Sequence, residues 1–229
     1  MSITFTWLGH SAFLLDIDGH AVLIDPFLTN NPLGARPASE VNAELILLSH
    51  AHGDHLGDTV DIAKRTNAKV VTNAEISYWM DKQGVKNVHG QNTGGSYDHG
   101  FIKVKQTIAF HSSSFPDGTY GGNPNGFIIT TKGGKKIYFA GDTALFSDMQ
   151  LIGEEGIDLA FLPIGDNFTM GPDDSIRAIK YIRPRLVAPM HYNTWPVIAV
   201  DVAGWADRVN RETMATPIVL DPGGSHTGA

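Results

Sequence analysis

The first third of the chain is a series of short apolar runs separated by turn residues. Residues 4–8, 12–17 and 21–24 are rich in β-branched and apolar side chains and predict three strands, with Asp18-Gly19 as a hairpin turn. Asp25-Pro26 ends the third, and 30–34 is a loop. The run Leu45-Ile46-Leu47-Leu48 is apolar throughout and bounded by polar residues, which predicts a buried strand. Asp58, with Asp61 three residues on, marks a helix reaching about residue 66. There a carboxylate is placed to accept the free N–H groups of the first turn. A strand at 69–71 and a helix at 75–82, stopped by Gly84, follow.

Residues 97–110 predict a second series of strands, broken at His99-Gly100, and 127–131 with 136–140 predict a hairpin around Gly133-Gly134. Between them, 112–126 holds four glycines and two prolines and reads as a long loop. Loops of that length in a compact domain often carry function. Helices at 145–152, 174–181 and 202–211 then alternate with strands at 159–162, 186–189 and 217–220. Strand runs followed by strand–helix alternation occur in both halves without a tandem repeat. No linker separates them, so 1–229 is expected to form a single domain.

Directly after the apolar run at 45–48 comes Ser49-His50-Ala51-His52-Gly53-Asp54-His55-Leu56-Gly57. Residues two apart in extended chain point the same way, so His50 and His52 can grip one ion together. Asp54 and His55 lie past Gly53, where the chain can turn, and can face a second ion. Zinc and similar divalent ions take imidazole nitrogen and carboxylate oxygen readily. Four candidate ligands do not complete two sites. Three later residues, each just after a predicted strand, are candidates for the rest: His111, Asp142 (with Gly141 allowing a tight turn) and His191.

At these residues the sequence resembles the metallo-β-lactamase superfamily, whose signature is the same His-x-His-x-Asp-His motif. Gly9-His10-Ser11, Ile24-Asp25-Pro26-Phe27, Gly141-Asp142-Thr143, Phe168-Thr169-Met170-Gly171-Pro172 and Pro189-Met190-His191-Tyr192-Asn193-Thr194 extend the resemblance to one branch, the UPF0173 metal-dependent hydrolases. That branch is similar to ascorbate-phosphate lactonases and, more distantly, to phospholipase-D-like members. The resemblance runs from about Thr4 to about Asp221. It implies an α/β fold, a four-layer αββα sandwich of two mixed sheets with helices outside. It also implies a first ion on His50, His52 and His111, a second on Asp54, His55 and His191, and Asp142 bridging both.

Two divalent ions, zinc by default with manganese, iron or nickel also fitting, are therefore the expected cofactors. Ions about 3.5–4 Å apart can share a water and make it a hydroxide near neutral pH. The expected activity is hydrolysis of an ester-like bond (lactone, carboxylic ester or phosphodiester) in a small molecule, with Asp54 orienting the hydroxide. One alternative is a nuclease or cyclic-nucleotide phosphodiesterase of the same superfamily. Another is a metal-dependent sensor or scaffold without turnover. Fold and metal chemistry transfer on such a resemblance, whereas substrate does not. The resemblance also makes a homo-oligomer an expectation.

Other residues carry two readings each. His10 follows the first strand and is placed either for catalysis and substrate contact or as a buried histidine satisfied by backbone. Asp25 either fixes the tautomer of a ligand histidine or forms a turn before Pro26. Tyr192 and Asn193 flank His191 and either touch substrate or pack the loop. Phe168 and Met170 either line a pocket or lie in an interface, and the acidic pair Asp173-Asp174 suits a helix start. His20, His89, His99 and His226 have no supporting pattern and read as surface histidines.

Composition narrows the remaining classes. With 229 residues and 42% hydrophobic content the chain can bury a sizeable core. The absence of cysteine excludes disulfides and thiolate metal sites and fits a reducing compartment. No signal peptide and no apolar run near the ~20 residues of a membrane span is visible, so a cytoplasmic location without membrane partners is expected. A net charge of −7 disfavours a broad nucleic-acid surface. The densest basic stretch, 132–136, reads as a solvated hairpin tip.

Overall fold

In the computed structural model, which describes residues 2–228, the strands β1 (Ile3–Gly9), β2 (Ala12–Ile17) and β3 (His20–Ile24) form an antiparallel meander. Next to β3 the strands β4 (Leu45–Leu47), β5 (Lys69–Asn73) and β6 (Val88–Gln91) add in parallel. Helices α1 (Gly53–Leu56), α2 (Thr59–Thr66) and α3 (Ala74–Lys82) lie in the connections. The second sheet follows the same scheme. Strands β7 (Ser96–Asp98), β8 (Ile102–Ile108), β9 (Asn125–Thr131) and β10 (Lys136–Phe139) are antiparallel; β11 (Leu159–Pro163), β12 (Leu186–Met190) and β13 (Thr216–Pro217) are parallel. Helices α4 (Met149–Glu154), α5 (Pro172–Ile182) and α6 (Val202–Glu212) make the crossovers. The last strand, β14 (Ser225–Thr227), returns to pair with β1. Each seven-stranded sheet thus runs through three antiparallel junctions and then three parallel ones. The expected αββα sandwich of two mixed sheets is the observed architecture.

Residue alternation explains the layers. In β4, Leu45 and Leu47 join the core between the sheets, whereas Ile46, and Leu48 just beyond the strand, join a second core beneath α2 and α3. Successive strand side chains point to opposite faces, so a run apolar at every position is what a strand covered on both sides requires. Across the inter-sheet core, Phe5 and Phe13 pack on Phe161 with ring centroids 5.2 and 4.4 Å apart. On the outside of the second sheet, α5 buries Ile176, Ile179 and Ile182 along one stripe. Trp205 of α6 is buried beside it and donates its indole N–H to Ser175 Oγ at 2.8 Å.

Several boundaries differ from the sequence reading. The helix expected at 145–152 begins only at Met149, and the strand expected at 217–220 is the two-residue β13. Short β6 and β14 and the single-turn α1 went unpredicted; they exist because a neighbouring strand or loop pairs with them, which local pattern does not encode. Asp58 does precede α2, but its carboxylate does not cap that helix. Its Oδ2 accepts instead from the backbone N–H groups of Leu28 and Thr29 at 2.9 and 2.8 Å, tying the loop after β3 to the histidine motif. Among the described residues, no helix is long and apolar enough to cross a membrane.

Strand direction gathers the chemistry. β1, β3 and β4 run the same way in the first sheet, as β8, β10 and β12 do in the second. His10, Asp25, the histidine motif, His111, Asp142 and His191 all follow the C-terminal ends of these strands. In open α/β sheets that edge is where ligands bind.

Candidate metal centre

Asp142 is at the middle of the cluster. Its Oδ2 lies 3.1 Å from His191 Nε2, 3.2 Å from His55 Nε2, 3.6 Å from His111 Nε2 and 3.9 Å from His50 Nε2. Among the described residues, three groups of donor atoms are close enough for one ion each: His50, His52 and His111; Asp54, His55 and His191, joined by His10; and Asp25 with His50 and His55, a set tied together by hydrogen bonds through Ser49 Oγ and His55 Nδ1. All seven residues named from the sequence as metal ligands are therefore brought together, four from one segment and three from separate strand ends. Gly141, at φ +64°, gives the turn that aims Asp142; a Cβ there would meet Asn125 O at 2.7 Å. Gly53 does not make a turn of its own: it opens α1, and that helical turn carries Asp54 and His55 away from His50 and His52.

The outer partners settle which ring nitrogens face inward. The buried Asp25 carboxylate accepts from Ser49 N at 2.8 Å, Ser49 Oγ at 2.6 Å and His55 Nδ1 at 2.7 Å. Burial pushes the Asp25 carboxyl up from its ordinary value, yet three converging donors make it an acceptor throughout. With its proton given to Asp25, Ser49 Oγ accepts from His50 Nδ1 at 2.9 Å. Both His50 and His55 then carry their outward proton on Nδ1 and present Nε2 to the centre. Desolvation holds His50 well below the ordinary histidine value. Desolvation acts on His55 too, but the Asp142 and Asp25 carboxylates outweigh it and draw a proton to that ring.

His10 is buried completely and has φ +56°. Its carbonyl accepts from Trp7 Nε1 at 2.9 Å and His191 N at 3.1 Å, so the end of β1 is fastened to the loop after β12. Burial lowers the ring to about 4 despite the hydrogen bond to Asp54. A neutral ring 3.2 Å from Asp54 Oδ2 must donate through Nε2–H, because a carboxylate only accepts. Nδ1 then accepts from Thr194 Oγ at 2.7 Å. Burial would raise Asp54, but His10 and His55 hold it well below the usual carboxylate range. Phe27 and Trp195 wall the ring, with centroids 5.9 and 5.0 Å away.

This donor set fits divalent ions. His55 Nε2 is buried without a hydrogen-bond partner, as is Asp142 Oδ1. Imidazole lone pairs aimed at a carboxylate across 3–4 Å repel it unless positive charge, a proton as on His55 or a metal ion, lies between them, and buried unpaired polar atoms are costly. Cations between these nitrogens and oxygens remove both penalties.

The remaining expectations divide. Tyr192 is buried and stacks on Trp7 at 5.2 Å, and Asn193 Oδ1 accepts from Val200 N at 2.7 Å, so both pack the loop. Met170 is in the core, while Phe168 is exposed. The four histidines read as surface residues are each only partly exposed. His89 and His99 pack around Tyr97 where β6 meets β7, His20 stacks on Phe101, and His226 lies on Phe5. Sequence reasoning passed over Ser49 and Thr194. Ser49's position directly before His50 was a usable signal, whereas nothing in the sequence ties Thr194 to His10.

Known proteins resemble this chain over nearly its whole length. Residues 4–191 match the β-lactamase superfamily domain, a match ending on His191. A UPF0173 metal-dependent hydrolase of Thermus thermophilus is 52% identical over 217 residues, 95% of each chain. One from Pelotomaculum thermopropionicum is 48% identical over 230 residues, covering 98% of this chain and 99% of the relative. Among solved structures, the metallo hydrolase Igni18 of Ignicoccus hospitalis superposes with a TM-score of 0.92 at 36% identity, covering 100% and 99% of the two chains.

Proposed function

The chain belongs to the UPF0173 metal-dependent hydrolases of the β-lactamase superfamily, and from that premise we propose that it is a two-metal hydrolase cleaving an ester-like bond (lactone, carboxylic ester or phosphodiester) in a small molecule. His50, His52 and His111 would hold one ion, Asp54, His55 and His191 the other, with Asp142 shared. Bound there, divalent ions supply Lewis acidity and lower the pKa of water, with zinc the default for these ligands. The supporting observation is the Asp142 oxygen within 3.9 Å of four imidazole nitrogens.

The protein's own groups supply the rest. Asp142 and Asp54 offset the charge of two cations, leaving the centre positive overall and suited to a carbonyl or phosphoryl oxygen. Asp25 and Ser49 hold His50 and His55 in the tautomers that present Nε2. His10 holds Asp54 Oδ2 through its Nε2–H, so the carboxylate stays ionised and its orientation fixed. Phe27 and Trp195 exclude water from the far side of His10.

The test is metal content per chain on purified protein, beside hydrolysis of a panel of lactones, esters and phosphodiesters with and without chelator. About two ions per chain with chelator-sensitive hydrolysis of one bond class is the expected result. Turnover that survives Asp54→Ala, or one ion or none after reconstitution, overturns the reading.

A further inference from the structure

An apolar groove leads away from the candidate centre. It starts at a cavity of about 360 Å³ with a mixed lining, where Phe110, Ala109 and Ile108 stand beside His111, Thr93 and Asn123. That cavity shares Thr93 and Ile108 with a second, of about 400 Å³, between α4 and the β8–β9 pair, where Ile128, Phe146, Leu151 and Ile152 form the wall. Ile108, Phe110 and Leu151 are 40%, 59% and 60% exposed, so three large apolar side chains face solvent along one path. Phe110 meets Phe146 edge-on at 5.3 Å, which joins the near part of the groove to the far wall. From His111 back to Lys105 the chain spans at most about 20 Å.

Charge at the far end is already committed. Lys105 and Lys136 both pair with Glu155 at 2.8 Å, and Asp148 lies on the same rim. Those lysines are held by a carboxylate, so an anionic tail gains little there and a neutral one fits. Thr93 likewise spends its hydroxyl on Asn125 Oδ1 at 2.7 Å.

We propose that the substrate carries a linear apolar arm, an alkyl chain of medium length, that lies in this groove while its ester-like head meets the metal centre at His111. The proposal rests on the hydrolase reading above and adds the substrate class. The occupant is argued from continuity: the groove opens at a ligand histidine, and its volume falls in the range of small-molecule sites. A second copy of the chain covering these side chains is the competing occupant.

The test is calorimetric binding of methyl-, butyl-, hexyl- and octylphosphonate to the metal-loaded protein, with native protein, Leu151→Glu and Ile108→Lys. The head group anchors at the metals without turning over, so the readout is independent of activity. Affinity is expected to rise up to about fourfold per methylene in the native protein. Either substitution is expected to weaken octylphosphonate tenfold or more and to leave methylphosphonate unchanged. A flat series with methylphosphonate still binding overturns the groove and spares the hydrolase reading. A rising series indifferent to both substitutions overturns it too, because the chain then lies elsewhere. A flat series together with dissociation of a native oligomer by Leu151→Glu makes the groove a subunit face. Failure of every phosphonate, methyl included, overturns the anchoring of the head group at the metals and the groove proposal with it, while metal content, measured separately, decides the hydrolase reading.

Discussion

His55 Nδ1 donates to Asp25 Oδ2 across 2.7 Å, and neither residue has any exposed surface. Through Ser49 the same carboxylate also fixes His50, so one buried group orients a histidine in each of the two donor sets. Asp25→Asn places an N–H₂ against Ser49 or His55, where every existing partner is a donor. Outer partners of metal ligands typically contribute 10–100-fold to affinity. Metal affinity is expected to fall by that factor for both ions, with about 1–3 kcal/mol of stability lost from the unsatisfied pairing. Competition against a graded chelator measures the first and urea unfolding the second; loss of one ion alone contradicts the shared role.

The reach of the sequence can be judged on these residues. The motif from His50 to His55 was legible because its spacing is local and follows an unbroken apolar strand. Asp142 and His191 were legible as polar residues at strand ends, and the resemblance joined them to the motif. The bond from Asp58 to Leu28 and Thr29, and from Thr194 to His10, link segments far apart in the chain. No periodicity marks such pairs. For the same reason β14 was missed: three polar residues become a strand only because β1 offers an edge. Partly buried His89 and His99 looked like surface residues because their cover comes from the meeting of two sheets.

Removing metal is expected to lower thermal stability. An ion that binds only the folded state adds about 2.7 kcal/mol when present at a hundredfold excess over its Kd. For a chain of 229 residues that corresponds to a Tm shift of roughly 5–10 °C. Scanning calorimetry before and after chelation reads it directly. An unchanged Tm in protein shown to lose its metal rules out ions as part of the fold's stability.

The metal-free protein is expected to weaken in mild acid. Burial depresses both His10 and His99 from 6.5 to about 4. Below 6.5 the unfolded chain takes up protons that these two rings refuse in the folded chain, so their contribution is complete above pH 6.5 and declines until about pH 4. His10, almost wholly buried, accounts for on the order of 3 kcal/mol of that decline. His99 lies away from the metal centre, so His99→Gln is expected to flatten the slope of unfolding free energy against pH in that window. Metal stoichiometry at pH 7.5 should stay as it was. An unaltered slope shows that the partly buried ring of His99 does not resist protonation.

The turn before Asp142 gives the sharpest separation of backbone strain from site geometry. Gly141 has φ +64°, and an added methyl would press on Asn125 O, whose own N–H is bonded to Ser49 O at 3.1 Å. Gly134 has φ +81° in the β9–β10 hairpin with open space around it. Alanine at either position bears the cost of a left-handed backbone, about 1–3 kcal/mol. Only at 141 must the chain also move, and the residue that moves next is Asp142, with Ser49 pulled through Asn125. Gly134→Ala is therefore expected to lower stability while keeping full metal content. Gly141→Ala is expected to lower stability further and to lose metal as well. Urea unfolding and metal analysis on both variants decide it: equal metal content would mean that the position of Asp142 does not depend on this turn.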